Sequence, residues 1–178
     1  MDPKWTGKQK EEYLGSINYP QLWTTSIHEV YPGHFVQGTF LKQVTSPVRR
    51  VAPLAPASFV EGWAHYTEQM MIDEGFGGGD PKIRMGQLAD ALLRLCRFEV
   101  GIREHTRAMT VDQATRFFMN NAYMGETPSR IEAERGNGMQ SGIGNVCGKL
   151  FLNRQELGTL LGTPWTAVGI QTQSILEG

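Results

Sequence analysis

Apolar positions recur at intervals of three and four along most of this chain, the spacing that places side chains on one face of a helix. Over residues 58–74, Val60, Trp63, Ala64, Thr67 and Met71 form such a stripe, with Ser58 as N-cap and Glu61 three residues on to complete a capping box. Gly75, Gly77, Gly78 and Gly79 end that helix, and Asp80 followed by Pro81 opens the next with a cap and a proline at the first helical position. This second helix is predicted to run to about Arg107, with Leu88, Leu92, Leu95 and Cys96 on one side. Thr110, with Gln113 three residues later, predicts a helix to about Ala122, and a short one follows Thr127 and Pro128. A glycine-rich stretch over 136–144 precedes a last helix over 145–157. No segment has strand periodicity and no repeat stands out. The predicted class is all-α: an irregular lead-in over 1–20, a helical bundle over 21–157 and a weakly patterned tail over 158–178.

One helix, predicted over residues 22–44, carries an interruption with chemical content. His28 and Glu29 are adjacent, and His34 follows after Val30, Tyr31, Pro32 and Gly33. Two imidazoles with a carboxylate beside the first are the usual parts of a zinc site with a base for water, but the standard motif spaces its histidines by four. Six positions on, a straight helix has turned by about 240°, and the rings diverge. Pro32 lacks an amide hydrogen and clashes with the carbonyl of His28, while Gly33 tolerates unusual backbone angles. The pair can bulge the helix so that His34 takes the place normally held one turn after His28. The competing reading is a helix end followed by a turn, with neither imidazole binding anything.

A third ligand has a candidate on the helix over 58–74. Glu61, His65 and Glu68 fall within about 60° of one another, with Trp63 and Ala64 facing away. A carboxylate from a second helix would complete three protein ligands and leave a fourth position for water. Glu61 suits this best, because Gly62 beside it lets a metal or another backbone approach, although the capping box is an alternative use for it. His65 and Glu68 are either a surface pair or groups that orient the ligands.

Composition narrows the classes. The 178 residues suffice for one domain with a core, and 17 basic against 18 acidic side chains give a net charge of −1, which offers nothing to a nucleic acid. Cys96 and Cys147 lie in apolar, helix-like surroundings and read as buried thiols. No run approaches the ~20 apolar residues of a membrane span. Met1, Asp2, Pro3, Lys4 and Trp5 begin no apolar h-region, so no signal peptide is expected, and the compartment stays open.

The stretch from Ile27 to Gln37, followed by Ser58-Phe59-Val60-Glu61-Gly62-Trp63-Ala64-His65-Tyr66-Thr67-Glu68, resembles the bacterial domain-of-unknown-function 885 family, whose members look like helical zinc peptidases of the gluzincin type. The resemblance covers roughly residues 10 to 155. Arg103, His105, Met109 and Thr110 look like a further family stretch, and Glu134-Arg135-Gly136 and Gly148-Lys149-Leu150 look like later landmarks. The resemblance implies one Zn2+ held by His28, His34 and Glu61, with Glu29 as general base. It also implies that Arg103 and His105 hold a substrate carboxylate or the developing oxyanion. A peptide or small amide would be the substrate.

Two departures bear on these expectations. Family members are several hundred residues long, so this chain looks like a C-terminal portion, lacking an N-terminal domain or exposing apolar surface for self-association. Where the family carries an Asp-Pro and two tyrosines, this chain has Met139, Gln140, Gly142 and Asn145. The alternatives to a peptidase are a non-catalytic helical scaffold or binding module, and a hydrolase acting on esters or non-peptide amides.

Overall fold

Thr6 starts a helix where the apolar pattern predicts none. Its hydroxyl accepts from the amide of Gln9, whose side chain accepts from the amide of Thr6, a reciprocal box that satisfies amides at a helix start. In the computed structural model, which describes residues 1–50 and 56–136 (side chains at 48, 49 and 136 excepted), this helix is α1, Gly7–Gly15. Residues 1–20 are therefore not irregular throughout. No residue of α1 is fully buried, which is why it leaves no apolar stripe in the sequence. It is tied down by polar contacts instead: the Glu12 carboxylate accepts from the amide of Thr127 at 3.0 Å and from its hydroxyl at 2.7 Å.

The helix predicted over 22–44 is two helices, α2 over Tyr19–Glu29 and α3 over His34–Leu41. A short α4, Pro47–Arg50, follows in the proline-rich loop. α5 covers Ala57–Asp73 with Pro56 at its N-cap and no side-chain cap bond. The Ser58–Glu61 capping box therefore does not form: the helix begins two residues earlier, so Ser58 is already inside it and Glu61 serves elsewhere. Gly75, Gly77, Gly78 and Gly79 all have φ between 65° and 92°, a region that residues with a Cβ resist, and they turn the chain into α6, Pro81–Arg107. Asp80 caps α6 as predicted, its side chain accepting from the amide of Lys82 at 2.8 Å. α7, Val111–Asn121, starts with the expected Thr110–Gln113 box, and α8 covers Glu126–Gly136. Among the described residues every regular element is a helix, as the all-α prediction requires.

α6 is the axis of the bundle, and its two halves pack differently. Its C-terminal half joins α7 and α8 in an apolar core of Cys96, Val100, Ala114, Phe118 and Ala133. Its N-terminal half faces α2 and α5 with Gln87, Asp90 and Arg94, which lie on one side of the helix. Leu88 and Leu95 sit about 100° round from that face and stay half exposed, at 51% and 52%. The predicted leucine stripe is thus not this helix's inner face; of its members only Cys96 is buried. The thiol of Cys96 is free, and burial pushes its pKa up. The predicted helix over 145–157, the tail, Cys147, Met139, Gln140, Gly142 and Asn145 lie outside the described residues.

Candidate metal centre

α2 stops at Glu29, where the amide of Val30 still donates to the carbonyl of Ser26 at 3.0 Å. Pro32 has no amide to continue the helix, and the Tyr31–Pro32 peptide is cis. The chain then folds back so closely that the amide of Gly33 donates to the carbonyl of Ile27 at 3.0 Å. A Cβ at Gly33 would lie 1.7 Å from the carbonyl oxygen of His28, so only glycine fits. The sequence argument chose the right residues for a different reason. The chain breaks here rather than bulging, and Gly33 is required for close approach to α2. Trp63 of α5 fastens the turn, its indole N–H donating to the carbonyl of Pro32 at 2.9 Å. His34 then stands in the first turn of α3, with its ring centroid 4.8 Å from that of His28 and nearly perpendicular to it.

Glu61, from the second turn of α5, reaches both rings. Its carboxylate oxygens lie 3.6 Å from Nε2 of His28 and 3.8 Å from Nε2 of His34. Ligand atoms from the three residues fall within 4.8 Å of one another. Zinc bonds of about 2.0–2.2 Å set tetrahedral ligands some 3.3 Å apart, so inward shifts of just under about 1 Å per side chain would close the set. The other nitrogen of His34, Nδ1, is buried and has no hydrogen-bond partner among the described residues, so nothing corresponding to Glu68 orients this ring. Burial and the neighbouring His28 lower the pKa of His34, which favours the neutral ring that a cation requires.

Behind His28 lies a buried carboxylate. The Nδ1 side of the ring donates to Glu68 Oε1 at 2.7 Å, which directs Nε2 and its lone pair toward Glu61 and His34. Burial lowers the affinity of His28 for a proton, but the carboxylates of Glu61 and Glu68 outweigh it and raise the pKa. Glu68 is itself held by Arg94 Nη2 at 2.7 Å and by His65 Nδ1 at 3.0 Å. Burial pushes the Glu68 carboxyl up, yet Arg94 and the two histidines hold it down at about 2. His65 and Glu68 are therefore no surface pair; both are buried behind the ligands. Asp90 completes the layer, accepting from Gln21 at 3.2 Å and from the hydroxyl of Thr24. Burial raises its pKa.

The triad opens on a cavity of about 550 Å3 that Glu29, Arg94, Arg97 and Arg135 also line. Glu29, the last residue of α2, is exposed there. Arg103 and His105 do not line this cavity. Arg103 pairs with Glu99 at 2.6 Å and lies over the ring of Phe117, while His105 is exposed with Nδ1 against the carbonyl of Gly101. Arg103 lies nine positions beyond Arg94, about 13 Å along α6. The structure brings together four of the six predicted site residues, and leaves these two at the far end of α6. Sequence reasoning missed Asp90 and Arg94. The available signal was their spacing of four on the face that also carries Ile83 and Gln87, charged groups at positions a core stripe would give to apolar ones.

The family model described as "Bacterial protein of unknown function (DUF885)" matches residues 4–142. The chain belongs to this family. Comparison with curated proteins finds no match. Among solved structures of similar fold is the "putative lipoprotein of unknown function from Shewanella oneidensis", with a TM-score of 0.73 and 24% identity over 98% of this chain and 32% of that one. Another is the "putative lipoprotein from Colwellia psychrerythraea", with a TM-score of 0.73 and 29% identity over 83% of this chain and 26% of that one. The chain thus spans a third or less of the length of these two structures.

Proposed function

We propose that this chain carries the centre of a zinc-dependent hydrolase of the peptidase type, acting on a peptide or small amide carbonyl. One observation carries the reading: ligand atoms of His28, His34 and Glu61 converge within 4.8 Å, on a cavity that Glu29 also lines. Two imidazoles and a carboxylate from a second helix are the donor set of zinc sites that keep one position open. A zinc ion bound there would supply a Lewis acid that acidifies water and polarises a carbonyl.

The remaining chemistry belongs to this chain's own residues. Glu29 takes the proton of the attacking water and returns it to the leaving nitrogen. Glu68 fixes the tautomer and the orientation of His28, and Arg94 and His65 keep Glu68 ionised in its buried place. A purely structural site would have no use for a carboxylate such as Glu29, exposed on the cavity wall.

Glu29→Gln should retain zinc, measured by metal analysis, and cleave blocked peptides at least about 100-fold more slowly. Cleavage at the parental rate would remove Glu29 as the base. His34→Ala should bring bound zinc well below one equivalent, and an unchanged stoichiometry would refute the triad. A panel of peptides, esters and amides, run with and without chelator, identifies the bond cut. Tight zinc without cleavage of any of them would favour the binding module instead.

A further inference from the structure

We infer that Arg135 makes the cavity selective for substrates bearing a carboxylate beside the scissile bond, an inference that rests on the hydrolase reading above. Three arginines line the cavity of the triad, and two of them are already engaged. Arg94 is paired with Glu68 at 2.7 Å, and Arg97 holds Glu132 through two parallel bonds of 2.6 and 2.7 Å. Arg135, in the last turn of α8, has no ion pair or hydrogen bond among the described residues. It lines both the triad cavity and a neighbouring one of about 650 Å3.

The acidic groups of the same cavity do not neutralise it. Glu61 faces the two imidazoles, Asp90 is engaged by Thr24 and Gln21, and Glu29 makes no ion pair with Arg135 among the described residues. Arg135 is therefore the one arginine of this cavity without a partner among the described residues, and its exposed side chain is open to an arriving ligand. A planar guanidinium in that position suits a carboxylate, which it can grip through two parallel bonds while the triad engages the adjacent carbonyl. The carboxylate has two sources: the C-terminus of a peptide, which would make the enzyme an exopeptidase, or an acidic side chain. The assignment also supplies the anion clamp that Arg103 and His105, outside this cavity, do not provide.

Calorimetric binding to the full chain, freed of metal by chelation and dialysis, tests this without catalysis. N-acetyl-Ala-Ala is compared with its C-terminal amide, and N-acetyl-Glu amide with N-acetyl-Gln amide. The acid of at least one pair should bind the parent about tenfold or more tighter than its neutral partner. A response in the first pair assigns the chain terminus, and one in the second assigns the side chain. Arg135→Gln should erase the preference, Arg135→Lys should keep part of it, and zinc stoichiometry should be unchanged in both. No preference in either pair, or a preference that survives Arg135→Gln, overturns the inference. Failure of the hydrolase reading would look different: no cleavage by the zinc-loaded chain, whatever the binding preference.

Discussion

The two halves of α6 solve the same packing problem with opposite chemistry. Toward its C-terminus the helix buries Cys96 and Val100 against Phe118 and Ala133, an ordinary apolar core. Toward its N-terminus it packs the buried Gln87 and the partly buried Asp90 and Arg94 against Thr24, His28 and Glu68, while Leu88 and Leu95 face outward. Burying an ion pair yields little net stability, because desolvation offsets most of the attraction. The C-terminal half is thus where the fold gains stability, and the N-terminal half gives up part of it to hold an imidazole in place.

The largest effects should distinguish the halves. Phe118→Ala should cost about 3–5 kcal/mol in denaturant unfolding and leave zinc affinity unchanged. Glu68→Ala should cost a similar ~3–5 kcal/mol, because Arg94 is left buried without its anion, and should also weaken zinc about 10- to 100-fold. Loss of zinc affinity in Phe118→Ala, or its retention in Glu68→Ala, would erase the comparison. Acid gives the same contrast in the metal-free chain. The native pKa of Glu68 lies below its ordinary value of 4.5, at about 2, so its contribution is complete above about pH 4.5 and is lost as pH falls toward 2. The parent should therefore lose more stability over that window than Glu68→Gln, as followed by circular dichroism.

Gly33→Ala comes next. The added methyl would overlap the carbonyl of His28, so the turn must open, at a cost of about 1–3 kcal/mol with loss of zinc. Zinc binding by Gly33→Ala equal to that of the parent would show that His34 reaches the site by another backbone path. The smallest effect is expected on the outer face. Leu88→Gln should change stability by no more than about 0.5 kcal/mol, since half of that side chain already meets water. A larger loss would mean that the leucine face has a partner.

Much of this was readable from the chain itself. The caps at Asp80, Thr110 and the Gly75–Gly79 turn were legible because each depends only on a side chain or a φ angle and the nearest backbone. His28, His34 and Glu61 were legible as candidate ligands from residue type and spacing, although the turn between the histidines was not. What escaped was nonlocal. α1 has no buried stripe to reveal it, the Ser58–Glu61 box lost to a helix that starts earlier, and the polar face of α6 matters only because α2 and α5 supply its partners.

The sequence alone determined an all-helical chain with a proline-glycine break between two histidines, since helix periodicity, caps and breakers act over a few residues. Only the tertiary structure decided which cations meet which carboxylates. Arg94 finds Glu68 and Arg97 finds Glu132, while Arg103 stays with Glu99 at the far end of the same helix. Those choices follow from how three helices pack across tens of residues, where charge pairing depends on distance in space and leaves no period along the chain.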